Sequence, residues 1–495
     1  MPSASSPIAA GAPSSDGATP GLGGWDWRWV LVAYVLVGVA FHAMHIDSSV
    51  GFDEMNLGEY FGPSVQTWNR FGFFELRGIP FWLHYPRSPE TGFQYLNHPP
   101  GVFWIMNAFG TSELALRLPG AIASIVGALG MFDVMRRRMP DPFAALAGAT
   151  MIVCTGYGVL SIGSYETMVV CAGLWLWSLA ERAQADGAWR WRVAAAVLAF
   201  LGPVLDWQFG FWGFGLVWLL DWRRPRRWLL LLTICGAATV AGAGLVLLWR
   251  SWALQAPFVN APSDVAIGSI FESATEARPG FAHWLGQAIT LLAFVVGPAV
   301  AWLACAGLPW LVWRHPKLAA ALVVAGIGPV ATFAHHALDH AIFYTLATPL
   351  VVASSAFGLV ALARVVGVRI AMSIGILVLG ATWWSSHRHV SASRTDLPRE
   401  VAHQLVERSK DGCVTLSDFE YVFLYYVDSP TVFTMPLSAP DVVDAIRSSV
   451  DATRGVWFLW WKAKPDSPLG RYLAGFESEP ARFDAPLSSG AREGG

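Results

Sequence analysis

The stretch SELALRLPGAIASIVGALGMFDVMRRR, residues 112 to 138, decides how the chain is read. Between Leu114 and Met135 only Arg117, Ser124 and Asp133 interrupt a run of apolar and small residues. Such a run is long enough to cross a bilayer, for which about 20 residues suffice. It ends on Arg136, Arg137 and Arg138, and clustered arginines at the end of a span mark the cytoplasmic side. The opposite end, with Arg117, therefore faces outward.

Similar runs occur near 27 to 46, 142 to 162, 167 to 183, 191 to 206, 209 to 221, 228 to 249, 285 to 313, 318 to 334, 342 to 363 and 369 to 385. Together they give about eleven spans. Composition agrees: 54% of the 495 residues are hydrophobic, only 14% are charged, and 26 tryptophans accompany 29 phenylalanines. The expected fold class is a mostly α, polytopic membrane protein. A net charge of −2 argues against a nucleic-acid partner. Four of the five cysteines, Cys154, Cys171, Cys235 and Cys305, lie inside apolar runs, so no disulfide framework is readable. Residues 1 to 26, small, polar and rich in Pro and Gly, read as a disordered cytoplasmic tail.

Arginines recur in alternate gaps: Arg182, Arg190 and Arg192; Arg223, Arg224, Arg226 and Arg227; Arg314 with Lys317; Arg364 and Arg369. Placing these gaps inside puts the loop 47 to 113, the turns near 163 to 166 and 206 to 208, the loop 250 to 284, the HHALDHA segment at 335 to 341, and residues 386 to 495 outside. Asp53, Glu54, His98, Arg117, Glu166, Asp206, His336 and His340 thus share one membrane face, although none was used to set the topology.

The domain plan is a transmembrane region over 27 to 385, with a long first outer loop at 47 to 113, followed by a small extracytoplasmic α/β domain over 386 to 495. Within the loop, SVQTWNRFGFF and PPGVFWIMNAFG read as helices lying at the interface. Within the last domain, REVAHQLVERSK and APDVVDAIRSSV read as amphipathic helices, and CVTLSD, YVFLYYV and GVWFLWWKA as strands.

Asp53 and Glu54 follow the first span directly. An acid at a membrane surface can act as a general base toward a hydroxyl or hold a divalent cation, or it can simply cap and solvate a helix end. Arg117 suits bidentate contact with a phosphate, and equally suits snorkelling to lipid headgroups. His336 and His340, four apart, have the spacing of a metal pair or of a polar mouth. Glu272, Glu276, Arg278 and His283 sit where a lid over an outer site would lie.

FDE at 52 to 54, YLNHPPGVFW at 95 to 104 and FGTSELALRLPGAI at 109 to 122 together resemble the first third of a GT-C glycosyltransferase of the protein O-mannosyltransferase and aminoarabinose-transferase branch. The resemblance is strongest over residues 27 to 185. It implies an enzyme that takes a sugar, hexose or pentose, from a polyprenyl monophosphate at the outer face and passes it with inversion to an acceptor hydroxyl. No nucleotide or redox cofactor is implied, and the acceptor could be a glycan, a lipid or a protein. By position in the motifs, Asp53 resembles the catalytic base with Glu54 beside it. His98 and Arg117 resemble the residues facing the donor phosphate, and His340 resembles a polar residue before a late helix.

There are three departures. Glu166 in SIGSYETM stands where relatives usually carry an aspartate. His98 precedes the prolines where the aminoarabinose enzymes tend to carry a lysine. Asp206 and Gln208 in VLDWQFGFW occupy a region where several relatives present a lysine to the carrier phosphate. With Asp53 and Glu166, Asp206 is a candidate to hold a divalent cation such as Mg or Mn. The composition suggests a bacterial inner membrane, with the active site and C-terminal domain on the periplasmic side. The alternative is a transporter or flippase for a lipid-linked or sugar substrate, which would place its polar groups near the bilayer midplane on paired repeats. No second copy of the first half is visible in this sequence.

Overall fold

The computed structural model describes residues 26–44, 57, 61–82, 93–94, 96, 98–160, 164–256, 280–334, 337, 341–393, 399–400, 403, 414–417, 432–434 and 456–459. Helices dominate: α1 (Trp27–His42), α2 (Gly62–Phe71), α3 (Gly101–Phe109), α4 (Glu113–Met135), α5 (Asp141–Val153), α6 (Tyr165–Asp186), α7 (Trp189–Leu205), α8 (Phe209–Leu219), α9 (Pro225–Ala253), α10 (Phe281–Val296), α11 (Pro298–Arg314), α12 (Pro316–Thr332), α13 (Thr348–Val366) and α14 (Val368–Ser393). A turn of π-helix at Gly156–Leu160 follows α5, and a 3-10 helix at Ala341–Ala347 leads into α13. Every apolar run coincides with a helix or a pair of helical segments. Among the described residues, α4, α9, α14 and the continuous segment Ala341–Val366 are long and apolar enough to cross a membrane singly. The shorter apolar helices include α1, α5, α8 and α12.

One expectation is corrected. The run from 285 to 313 is not one helix, because α10 and α11 meet at an angle of 114°. The cause is the Gly297-Pro298 pair. Gly297 has φ +85°, which favours glycine, and the residue before a proline is disfavoured in the helical region.

The helix starts follow local chemistry. Asp26 accepts a hydrogen bond from the Arg28 backbone N–H at 3.0 Å, and Ser112 accepts one from Ala115 at 3.2 Å, satisfying donors that open α1 and α4. Inside the bundle, small residues let backbones meet. Gly307 of α11 and Gly358 of α13 touch directly, so a side chain at either would strike the other helix.

All five arginine-bearing gaps lie at one end of the bundle and are tied to one another there. Asp133 of α4 pairs with Arg137 at 2.5 Å and with Arg182 at 2.6 Å, and Glu181 of α6 pairs with Arg137 at 2.8 Å. Arg227 donates to the carbonyls of Gln184 and Ala185, and Lys317 pairs with Asp221 at 2.9 Å. Arg314 and Arg364 both stack over Trp310.

At the other end, the segment between α1 and α4 builds a second apolar core. Phe61, Val65, Trp68, Ile79, Phe81, Val102, Phe103 and Met106 pack against Leu116, Tyr165, Met168, Trp249 and Ala253. The two helices expected at the interface are α2 and α3. Trp68 donates to the Ile79 carbonyl at 2.8 Å, and Ser64 bonds both backbone groups of Phe81. A two-stranded antiparallel pair, β1 (Phe81–Trp82) and β2 (Phe93–Gln94), closes the loop. The turn at 73–78 is fastened to the end of α9: the Trp249 indole donates to the Arg77 carbonyl at 3.0 Å, while the Arg77 guanidinium donates to the Trp252 carbonyl and lies over its ring.

Beyond α14, β3 (Val414–Ser417), β4 (Val432–Thr434) and β5 (Val456–Leu459) form a parallel sheet in the order β4-β3-β5. Parallel neighbours require crossover connections, which fits a small α/β arrangement. The first and last strands fall within CVTLSD and GVWFLWWKA. β4 adds a strand at Val432–Thr434, while YVFLYYV lies outside the described residues. Arg399 pairs with Glu113 at 2.9 Å, linking the chain after α14 to the outer end of α4.

Candidate active site

Three segments far apart in sequence meet at the end of the bundle opposite the arginines. Pro99 and Pro100 open α3 and hold His98 just before it. Asp206 ends α7 in an extended conformation and is completely buried. One of its carboxylate oxygens accepts the Gln208 N–H at 2.8 Å, an Asx turn that starts α8. The other lies 2.5 Å from His98 Nδ1. Tyr165, the first residue of α6, stacks flat against the imidazole, with ring centroids 4.6 Å apart and planes 7° from parallel. Phe61 and Phe103 hold the tyrosine from the loop side.

Glu166, the next residue, is buried at the N-terminus of α6 and accepts a hydrogen bond from Ser164 Oγ. A carboxylate there is favoured by the helix dipole. It is close enough to add to the field at His98. Burial alone would lower the imidazole pKa, but the Asp206 charge and hydrogen bond outweigh it, with Glu166 adding to them. His98 is therefore held above its ordinary 6.5. In a protonated ring both Nδ1, which faces Asp206, and Nε2 are donors.

Arg117 projects from the second turn of α4 and is completely buried. That rules out the snorkelling reading, which needs the guanidinium at the lipid-water boundary. Asp206 is also better understood than from sequence. It does not stand alone, because its carboxylate is paired with His98. Tyr165 was missed. The available signal was an aromatic residue directly before the buried acid of SIGSYETM, but only the fold shows that it faces His98.

Asp53, Glu54, His335, His336, His340, Glu272, Glu276 and Arg278 lie outside the described residues. His283 is exposed on the first turn of α10. Among the described residues no group of three metal-ligating side chains forms. Of the three acids proposed for a cation, Asp206 spends both oxygens on His98 and Gln208, and Glu166 is bonded to Ser164.

The fold has solved counterparts. ArnT from Cupriavidus metallidurans bound to undecaprenyl phosphate superposes with a TM-score of 0.57 at 14% identity, over 87% of this chain and 89% of that one. Its apo form gives 0.53 over the same shares. The apo Archaeoglobus fulgidus oligosaccharyltransferase gives 0.52 at 13% identity, over 83% of this chain and 65% of that one. Both proteins are GT-C glycosyltransferases. The chain has the GT-C fold. No family model matches the chain, and no curated protein matches its sequence. On this GT-C frame, the His98–Asp206 pair lies at the end of the bundle opposite the arginine-rich face, since α6 and α7 both run from one end to the other.

Proposed function

We propose that this chain is a glycosyltransferase that moves a sugar from a polyprenyl-phosphate donor to an acceptor hydroxyl at the outer face of a bacterial inner membrane. The observation that carries the reading is the pairing of half-buried His98 with fully buried Asp206, flanked by Tyr165 and Glu166, at one end of a GT-C bundle. The solved ArnT is similar over most of its length and binds undecaprenyl phosphate, which supports a carrier of that class here.

In this reading the donor's phosphate oxygens meet the Nε2–H of a protonated His98 and the guanidinium of Arg117. The polyprenyl tail lies among the apolar helices, so only phosphate and sugar enter the outer cavity. The acceptor oxygen attacks the anomeric carbon from the face opposite the phosphate, with inversion. Its proton passes to Asp53, with Glu54 beside it, and the carbon–oxygen bond to the phosphate breaks. Negative charge builds on the leaving phosphate, where fixed positive groups stabilise it as it develops. The loop core around α2 and α3 keeps water from the cavity, which protects the glycosyl group from hydrolysis.

The test is native mass spectrometry of the protein purified gently from its own membrane. A co-purifying polyprenyl phosphate, with or without its sugar, that is lost in Arg117→Ala supports the reading and names the donor. Absence of any such lipid, together with substrate flux in proteoliposomes, would establish a transporter instead.

A further inference from the structure

An arginine cluster lies at the end of the bundle opposite His98 and Asp206. Gly187 closes α6 with φ +72°, and Arg224 and Arg227, from the start of α9, cap the exposed carbonyls of Gln184 and Ala185 at 3.3, 2.9 and 2.9 Å. A Cβ built on Gly187 would sit 3.4 Å from the guanidinium carbon of Arg227 and 3.7 Å from a guanidinium nitrogen of Arg192. Two cations from different helices therefore converge over one glycine. Arg192 is half-buried, and neither it nor Arg226 makes a hydrogen bond or ion pair among the described residues. The neighbouring acids are engaged elsewhere: Glu181 with Arg137 and Arg138, Asp221 with Lys317. Asp186 is exposed and pairs with none of the four arginines. Beside the cluster opens a cavity of about 690 Å³ lined by Ala185, Arg224, Pro225, Arg226 and Arg227.

Converging guanidinium groups without a carboxylate repel one another unless an anion is shared between them. We propose that this cavity holds the phosphate of an anionic phospholipid from the leaflet at the arginine-rich face. A phosphodiester has two free oxygens, which match the forked donors of Arg226 on the cavity wall and of Arg192, which lies beside Arg227 at the Gly187 edge of the cluster. The surroundings favour a lipid over a free ion. Trp189 and Trp222 are exposed beside the cluster, as residues at the depth of lipid headgroups are. Within the next turns Val193 and Val197 of α7 and Leu229 and Leu230 of α9 are exposed, offering apolar surface for acyl chains. The bound lipid would clamp α7 to α9, which already touch where Gly242 meets the Phe200 backbone. The far ends of those helices carry Asp206 and Trp249. The site does not depend on the transfer reaction.

The experiment uses the whole protein in vesicles of phosphatidylcholine, with or without phosphatidylglycerol. Bound phosphatidylglycerol is counted by native mass spectrometry and thermal stability is followed in parallel. Phosphatidylglycerol is expected to bind and stabilise the wild type. The double variant Arg192→Ala, Arg226→Ala should lose affinity for it roughly thirtyfold, at about 1 kcal/mol for each arginine. Arg369→Ala, at the same face but outside the cavity, should behave as wild type. Equal lipid retention in the double variant, or equal loss in Arg369→Ala, would show only diffuse attraction and overturn the site. Should the double variant fold poorly, Arg226→Glu alone, on an exposed side chain, must also reduce retention. Stabilisation by inorganic phosphate in pure phosphatidylcholine, equal to that by phosphatidylglycerol, would overturn the lipid as its source.

Discussion

His98 Nδ1 lies 2.5 Å from a carboxylate oxygen of Asp206, and this contact joins the segment before α3 to the end of α7 across 108 residues of sequence. It turns Nδ1 toward the carboxylate and raises the imidazole pKa, which favours the charged ring. Most of the proposed chemistry at the phosphate depends on that pairing.

Asp206→Asn should leave insertion intact and lower kcat/KM for the donor by about 10 to 100-fold, a loss of about 1.4 to 2.8 kcal/mol. The imidazole would then deprotonate more easily, so the alkaline limb of the pH profile should move to lower pH. A variant with lower activity but an unmoved limb would show that Asp206 acts only in packing.

The same pair predicts a pH dependence of stability. His98 gains its partner on folding, so its folded pKa stands above the unfolded value near 6.5. The stabilisation is complete below that value and is lost as pH rises through the raised folded pKa. Thermal melts of the wild type should therefore decline across that window, and melts of Asp206→Asn should not decline there.

Tyr165→Leu should remove the stacked face of His98 and raise the donor KM several-fold, while Tyr165→Phe should stay close to wild type. Equal behaviour of the two variants would assign the ring no orienting role. The cost of losing such a contact is about 0.5 to 1.5 kcal/mol beyond area burial.

Asp53→Asn should fold, insert and retain the carrier lipid, yet lose nearly all transfer. Wild-type turnover in that variant would remove Asp53 from the mechanism.

Gly297→Ala should lower stability by about 1 to 2 kcal/mol, the usual penalty for a side chain in the left-handed region. Melting of the purified protein measures it. No change would mean that the α10–α11 bend adjusts without strain.

Much of this was legible from sequence for a simple physical reason. Apolar length and arginine position are one-dimensional signals, and both the helices and their shared basic end followed from them. His98, Glu166 and Asp206 could be assigned to one face by alternation alone. Which of them touch could not be read, because the 2.5 Å contact depends on how the loop core tilts α3 against α7. The bend at Gly297 was written in the Gly-Pro pair, but mean hydropathy is blind to it and the run looked continuous. Arg117 was ambiguous because a helix end does not reveal whether its side chain turns toward lipid or protein.

The clasp between the 73–78 turn and α9 bears on biogenesis. Arg77 and Trp252 are 175 positions apart, and ribosomes add about 5 to 20 residues each second. The first outer loop must therefore wait on the order of ten to thirty-five seconds for the helix it grips, with its tryptophans and phenylalanines unsheltered. During that interval the nascent chain already has several of its helices but not the finished packing around the 73–78 turn, so the proposed transfer reaction has to wait until α9 arrives.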